Sequence, residues 1–269
     1  MQAGGEVAVI TGGASGIGLA LGSALAARGA TVVLADIDGD AAQSAAARLG
    51  PRASAVTLDV TDAAAVAAVV ADTVEQHGRL DLMVNNAGIA ISGEVRDIAV
   101  EHWRRVVEVN LMGVVHGCDA AYKQMVKQGH GHIVNIASLA GLVPFPTNAS
   151  YCATKHAVVG LSQSLRAEGE ALGVKVSVVC PGFVATNIFE ASQAINVPQE
   201  QLAANIPFKL VPAEEAARRI LAGVAKNRAV IVFPGYARLS WWLTRLHHAL
   251  TRPLATGMLR DFRKLRRDA

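Results

Sequence analysis

The chain has 269 residues and a mass of 28.0 kDa, with 52% apolar and only 17% charged residues. That balance excludes a disordered chain, and the length suits one large α/β domain with a substantial core. A formal net charge of +3 is too small to mark a nucleic-acid binder, and three cysteines without a C-x-x-C pair speak against a disulfide framework or a structural zinc site.

The first residues show no basic segment followed by an apolar one, and no run of about 18 apolar residues follows. The reading is a reducing, cytoplasmic setting. Short apolar runs at 7–10, 31–35, 53–58, 80–85, 131–136, 175–180 and 229–233 are rich in Val and Ile and do not alternate with polar residues. Strands buried on both faces read this way. Between them, residues 16–28, 63–76, 101–128, 151–172 and 212–226 carry helical periodicity. Alternating strands and helices predict a Rossmann-type, doubly wound parallel sheet of about seven strands with helices on both faces.

The chain changes character at its end. Eight of the 25 Lys and Arg lie from Tyr236 onward, but only two of the 22 Asp and Glu, so the body is mildly acidic and the tail strongly basic. The organisation expected is a Rossmann unit over 1–235 and a basic amphipathic extension over 236–269. Leu239, Trp242, Leu243, Leu246 and Leu250 recur at helical spacing, and Leu254, Met258, Phe262 and Leu265 form a second stripe beyond Pro253, beside Arg260, Arg263, Lys264, Arg266 and Arg267. Such a tail either contacts a membrane surface peripherally, or packs on the body or a neighbouring subunit.

The first strand runs into Thr11-Gly12-Gly13-Ala14-Ser15-Gly16-Ile17-Gly18. A strand, a Gly-rich turn and a helix start make an anion site, because free backbone N–H groups and the helix dipole point at phosphate. Gly12 permits the turn, Gly16 the close approach of a pyrophosphate, and Gly18 the packing of helix on sheet. The second strand ends in Asp36, followed by Ile37. An acid at that distance accepts hydrogen bonds from adenosine ribose hydroxyls and repels a 2′-phosphate, which favours NAD over NADP. The plainer alternative for Asp36 is a solvated strand end or a helix cap.

Further motifs follow in order: Asn85-Asn86-Ala87-Gly88, Asn110 within a long helix, Ser138 after the fifth strand, Tyr151-Cys152-Ala153-Thr154-Lys155, and Pro181-Gly182 after the sixth strand. Together with the Gly loop this set resembles the short-chain dehydrogenase/reductase family over roughly residues 6–234. The resemblance implies NAD(P)-linked oxidoreduction of a CH–OH group and assembly into a dimer or tetramer. It assigns Asp59 and Val60 to the adenine, with a strand-end cap the alternative for Asp59. It assigns Asn86, Ala87 and Gly88 to the adenosine side, Pro181, Gly182 and Val184 to the nicotinamide, and Thr186 to its carboxamide or the phosphates. It also implies that Asn110 kinks its helix and holds a water linking Lys155 to solvent.

The acid–base chemistry follows from the residues. A phenol with a pKa near ~10 is a poor base at neutral pH, and a nearby cation lowers that value. Tyr151 and Lys155 are four apart and share a helix face. Lys155 is therefore expected to hold its ammonium near the phenol oxygen and to reach the nicotinamide ribose, with Tyr151 the general acid–base and Ser138 a hydrogen-bond partner for the substrate oxygen. Cys152 points away from this group, and His156, His247 and His248 lack metal-ligand spacing, so no metal is assigned.

The stretch after Pro181-Gly182 runs Asn187, Ile188, Phe189 to Ile195, Val197, Leu202, Ile206 and Phe208, with Glu190, Glu200 and Lys209 its few charges; the loop after Ser138, residues 140–146, is apolar too. Neither offers a cationic clamp for a carboxylate or phosphate. An apolar, steroid-, retinoid- or lipid-like secondary alcohol or ketone is expected. The competing readings are an NADP-dependent 3-oxoacyl-thioester reductase, a non-catalytic dinucleotide-binding regulator, and a membrane-associated scaffold.

Overall fold

The computed structural model describes residues 5–186, 188, 192–204 and 208–266. Seven strands form one parallel sheet: β1 (Val7–Thr11), β2 (Thr31–Asp36), β3 (Ala53–Thr57), β4 (Leu82–Asn85), β5 (Gly131–Ile136), β6 (Val174–Pro181) and β7 (Val230–Phe233). Their order across the sheet is β7-β6-β5-β4-β1-β2-β3. The strand order reverses between β1 and β4, which opens a crevice at the carboxyl ends of the strands, where ligands bind in such sheets. The expected seven-stranded Rossmann-type architecture is the one observed.

The helices are α1 (Gly16–Ala26), α2 (Gly39–Leu49), α3 (Ala63–His77), α4 (Val100–Val107), α5 (Gly113–Gln128), α6 (Ala149–Gly169), α7 (Ala213–Ala225), α8 (Gly235–Leu246) and α9 (Arg252–Leu265). Local chemistry sets their ends. Asp38 caps α2 by accepting from Ala41 N, and Asp62 caps α3 by accepting from Ala64 N and Ala65 N. Left-handed Gly78 and Gly129 close α3 and α5. The run expected as one helix over 101–128 is α4 and α5 joined through a π-helical turn, Glu108–Met112.

The core has two layers, one on each face of the sheet. On one, Val9, Met83, Ile133, Val176 and Val178 meet Val66, Val70, Val114, Ala121 and Val158 from α3, α5 and α6. On the other, Ile10, Val32, Leu34, Val84 and Val134 meet Leu21, Leu25, Ile220 and Leu221 from α1 and α7. The inner strands thus bury both faces, which is why their sequences are continuous apolar runs, whereas the edge strand β3 is only partly buried.

Candidate active site

The Gly loop after β1 crosses the switch point. Gly12 and Gly16 take φ of +63° and +53°, and a side chain at position 12 would lie 2.9 Å from Ala87 Cα. A side chain at position 18 would lie 2.1 Å from Gly12 O. The loop is laced to the end of β4. Asn86 Nδ2 donates to Thr11 O at 3.0 Å and Gly12 O at 2.9 Å, while Asn86 N and Ala87 N both donate to Thr11 Oγ1. Asn86 therefore shapes the loop as well as lining the cleft. The first turn of α1 carries no acidic side chain, and Ser15, Gly16 and Ile17 face the cleft.

Asp36 stands at the end of β2 with Oδ2 accepting from Ala14 N at 3.0 Å and Oδ1 from Asp38 N at 3.1 Å. Both oxygens keep lone pairs toward the cleft it lines, beside the exposed Ile37. Asp59 does act as a cap, its Oδ1 accepting from Thr61 N and Thr61 Oγ1 at 2.9 and 2.8 Å, yet it and Val60 also line the cleft. Thr186 closes the other side, its Cγ2 3.1 Å from where a side chain on Gly16 would start. Gly88, Pro181, Gly182 and Val184 complete the lining. The glycine cradle, the loop amides and the cleft-lining Asp36 fit a dinucleotide, and the whole cleft, at about 630 Å³, leaves room beyond it.

Ser138, Tyr151 and Lys155 meet at the inner end. Ser138 follows β5 and hydrogen-bonds Tyr151, and its Oγ also accepts from Ala140 N at 3.2 Å. Sequence reasoning missed what allows this meeting. Gly141 lies against α6, where a side chain would come 2.5 Å from Lys155 O. Only a bare backbone lets the turn after Ser138 approach the helix bearing Tyr151. No pattern in the chain marks that glycine.

Burial corrects the expected electrostatics. It pushes the Tyr151 phenol up to about 12, against the lowering effect of the Ser138 hydrogen bond, and pulls the Lys155 ammonium down to about 8. Lys155 Nζ donates to Ile136 O at 2.9 Å and lies 5.5 Å from the centre of the Tyr151 ring. It stacks over the ring rather than pairing with the oxygen, so it does not produce the lowered phenol pKa expected from the four-residue spacing.

Asn110 is fully buried in the π-helical turn. Its Oδ1 accepts from Ile89 N and its Nδ2 donates to Ile89 O, each at 2.8 Å. The side chain clamps the segment after Gly88, and a side chain on Gly88 would wedge between Asn110 Oδ1, at 3.2 Å, and Lys155 Nζ, at 3.5 Å.

Much of the remaining lining is apolar, with Arg105 and Asp261 its charged members. Phe145, Phe183 and Ile188 line the cleft, and so do Met258, Phe262 and Leu265 of α9. Of the second stripe of the tail, Met258, Phe262 and Leu265 thus face the cleft, while Leu254 is exposed. Glu94 holds α9 in place by accepting from Arg263 Nε at 2.6 Å, and Asp97 by accepting from Arg266 Nη2 at 3.1 Å. Arg263 and Arg96 beside Glu94 keep its carboxyl below the usual carboxylate range. A ladder of rings ties the tail to the loop after β6: Phe145 edge-on to Phe183, Phe183 on Phe208, and Phe208 stacked on Tyr236 at 4.2 Å between centres. Ile195 and Val197 pack back on the body, Ile195 against Gly93. Asn187, Phe189, Glu190, Ile206, the side chain of Leu202 and Arg267 lie outside the described residues.

A family model described as short chain dehydrogenase matches residues 6–196. A 2-(S)-hydroxypropyl-CoM dehydrogenase of Xanthobacter autotrophicus is 43% identical over 182 residues, covering 66% of this chain and 71% of that protein. The probable oxidoreductase EphD of Mycobacterium tuberculosis is 42% identical over 183 residues, again 66% of this chain but only 31% of EphD, so the match spans less than a third of that relative. A crystal structure of a short chain dehydrogenase/reductase from Burkholderia phymatum, in complex with NAD, superposes with a TM-score of 0.86 at 31% identity, covering 93% of this chain and 96% of that one. With the matched family model spanning the Gly loop, Ser138, Tyr151 and Lys155, the chain belongs to the short-chain dehydrogenase/reductase family of oxidoreductases.

Proposed function

We propose that the protein is an NAD-dependent dehydrogenase that interconverts a bulky apolar secondary alcohol and its ketone. One observation carries the reading. A single cleft runs from the Gly loop, past Ser138, Tyr151 and Lys155, to an apolar wall built from Phe145, Phe183, Met258 and Phe262. The proposed contacts are the loop amides of Ser15, Gly16 and Ile17 with the pyrophosphate and Asp36 with the adenosine ribose. Between Thr11 and Asp38 the only basic residue is Arg28, beyond the far end of α1, so nothing in this stretch offers a 2′-phosphate a cation. This supports NAD and weighs against the thioester reductase.

When bound, the nicotinamide supplies the hydride acceptor or donor. The chain supplies the proton chemistry. Ser138 orients the substrate oxygen toward Tyr151, and Tyr151 exchanges a proton with it. With its pKa near 12 the phenol is neutral at pH 7, the state that donates a proton to a ketone oxygen. Alcohol oxidation needs the phenolate and gains as pH rises. Lys155, anchored on Ile136 O, fixes the ring from below and brings its positive charge to the inner end of the cleft.

The test is reduction of NAD and of NADP, followed near ~340 nm, with secondary alcohols from short aliphatic ones to steroids. NAD-dependent turnover that favours the bulky apolar members is expected. Tyr151→Phe should keep dinucleotide binding and lose turnover by a factor of roughly 10²–10⁴. Near-normal turnover by that variant would remove Tyr151 from the acid–base role.

A further inference from the structure

Ten large apolar side chains are exposed among the described residues, and five of them crowd into one short segment: Leu239, Trp242, Leu246, Leu250 and Leu254. Positions 239, 242 and 246 share one face of α8, since residues three, four and seven apart align on a helix. Leu250 sits in the 3₁₀ turn His248–Leu250, and Leu254 opens α9. The Thr244 and Thr251 hydroxyls lie 3.3 Å apart and hold the two helices together at this corner. The face is separate from the stripe Met258, Phe262 and Leu265, which turns to the cleft. An exposed cluster of this kind marks an interaction surface.

The charges say what covers it. The sequence holds no Asp or Glu between Glu215 and Asp261. Arg245 and Arg252, both exposed, flank the apolar face, and neither makes an ion pair among the described residues. The Arg245 guanidinium lies over the Trp241 ring at 5.5 Å. A second copy docked through this face in a two-fold arrangement would present the same unneutralised arginines to each other. An anionic bilayer supplies the missing negative charge and accepts Trp and Leu at its acyl boundary. No described helix is long and apolar enough to cross a membrane.

We propose that the corner formed by α8 and the start of α9 docks on an anionic lipid surface, with Trp242, Leu246 and Leu250 inserted at the interface and Arg245 and Arg252 against the headgroups. The site is peripheral, and it places the cleft-lining helix α9 beside the bilayer. The proposal stands apart from the catalytic reading and is tested without turnover.

The full chain is sedimented with vesicles of phosphatidylcholine alone and of phosphatidylcholine mixed with phosphatidylglycerol. Binding to the anionic vesicles, weakening with salt, is expected. Arg245→Gln combined with Arg252→Gln should lower partitioning roughly 30-fold, from the worth of a basic side chain at an anionic surface. Leu246→Glu combined with Leu250→Glu should lower it roughly tenfold or more. These exposed positions leave the fold intact, which circular dichroism checks. No binding to anionic vesicles, or equal binding by both double variants, overturns the proposal. So does a dimer in sedimentation velocity that the leucine variant dissociates, because the face would then belong to a second copy.

Discussion

The Tyr236 hydroxyl accepts a hydrogen bond from Phe183 N at 2.8 Å. It fills the space over Gly182, where a side chain would come 2.3 Å from Tyr236 Oη. A residue of the C-terminal extension thereby holds the turn after β6 that forms one wall of the cleft. Tyr236→Phe keeps the ring and its stacking on Phe208 but leaves Phe183 N without this acceptor. The cost expected is about 1–3 kcal/mol in stability, the usual penalty of an unmet backbone donor. Thermal melts should show it, and kcat/KM should fall about tenfold through a looser turn. An unchanged melt would mean that the stacking alone holds the turn.

Lys155 carries a conflict between stability and chemistry. Its pKa in the folded chain is near 8, below the ordinary 10.5. Below pH 8 the amine is charged in both folded and unfolded states, and the folded state bears the cost of burying it. Between about pH 8 and 10.5 the unfolded chain binds more protons, so stability rises with pH. Lys155→Met should therefore lose turnover yet raise the urea midpoint at pH 7. Its advantage over the parent should shrink by pH 9.5. A variant less stable than the parent at both pH values would show that the bond to Ile136 O outweighs the buried charge.

On the proposed reading, Asp36→Ala should narrow a preference for NAD over NADP, by removing both the proposed ribose acceptor and the charge that would repel a 2′-phosphate. It also frees Ala14 N and Asp38 N, so NAD affinity itself should weaken. The comparison of kcat/KM for the two dinucleotides reads the first effect, and fluorescence titration reads the second. Unchanged discrimination would assign the choice to another residue.

Phe262 is buried in the apolar lining of the cleft, on the helix tethered through Glu94 and Asp97. Phe262→Ala should raise KM for bulky apolar alcohols severalfold and leave short alcohols nearly untouched, because only a long substrate reaches α9. Losing such a contact costs about 1–3 kcal/mol of discrimination. Equal losses for short and bulky alcohols would indicate a collapsed cleft instead.

The sheet was readable because its inner strands bury both faces, which leaves runs of Val and Ile; the edge strand β3, partly exposed, followed from its place in the alternation. Helix α2 escaped, since Gly39–Leu49 is rich in Ala and shows no stripe of large apolar side chains. The two-residue pairing of Ile91–Ser92 with Gln193–Ala194 is too short to leave a pattern. Tyr151 and Lys155 were readable as neighbours because helix periodicity is local. The direction of their pKa shifts was not, since it depends on burial by elements far apart in the chain. The tail announced its helices but not its partners. Glu94 and Asp97, which receive Arg263 and Arg266, look like ordinary surface acids in the sequence.

Those two ion pairs join positions 169 residues apart. Contacts of such sequence separation form late when a chain folds, because they close the longest loops. The wall that α9 adds to the cleft therefore depends on contacts that close far longer loops than those of the Gly loop with β2.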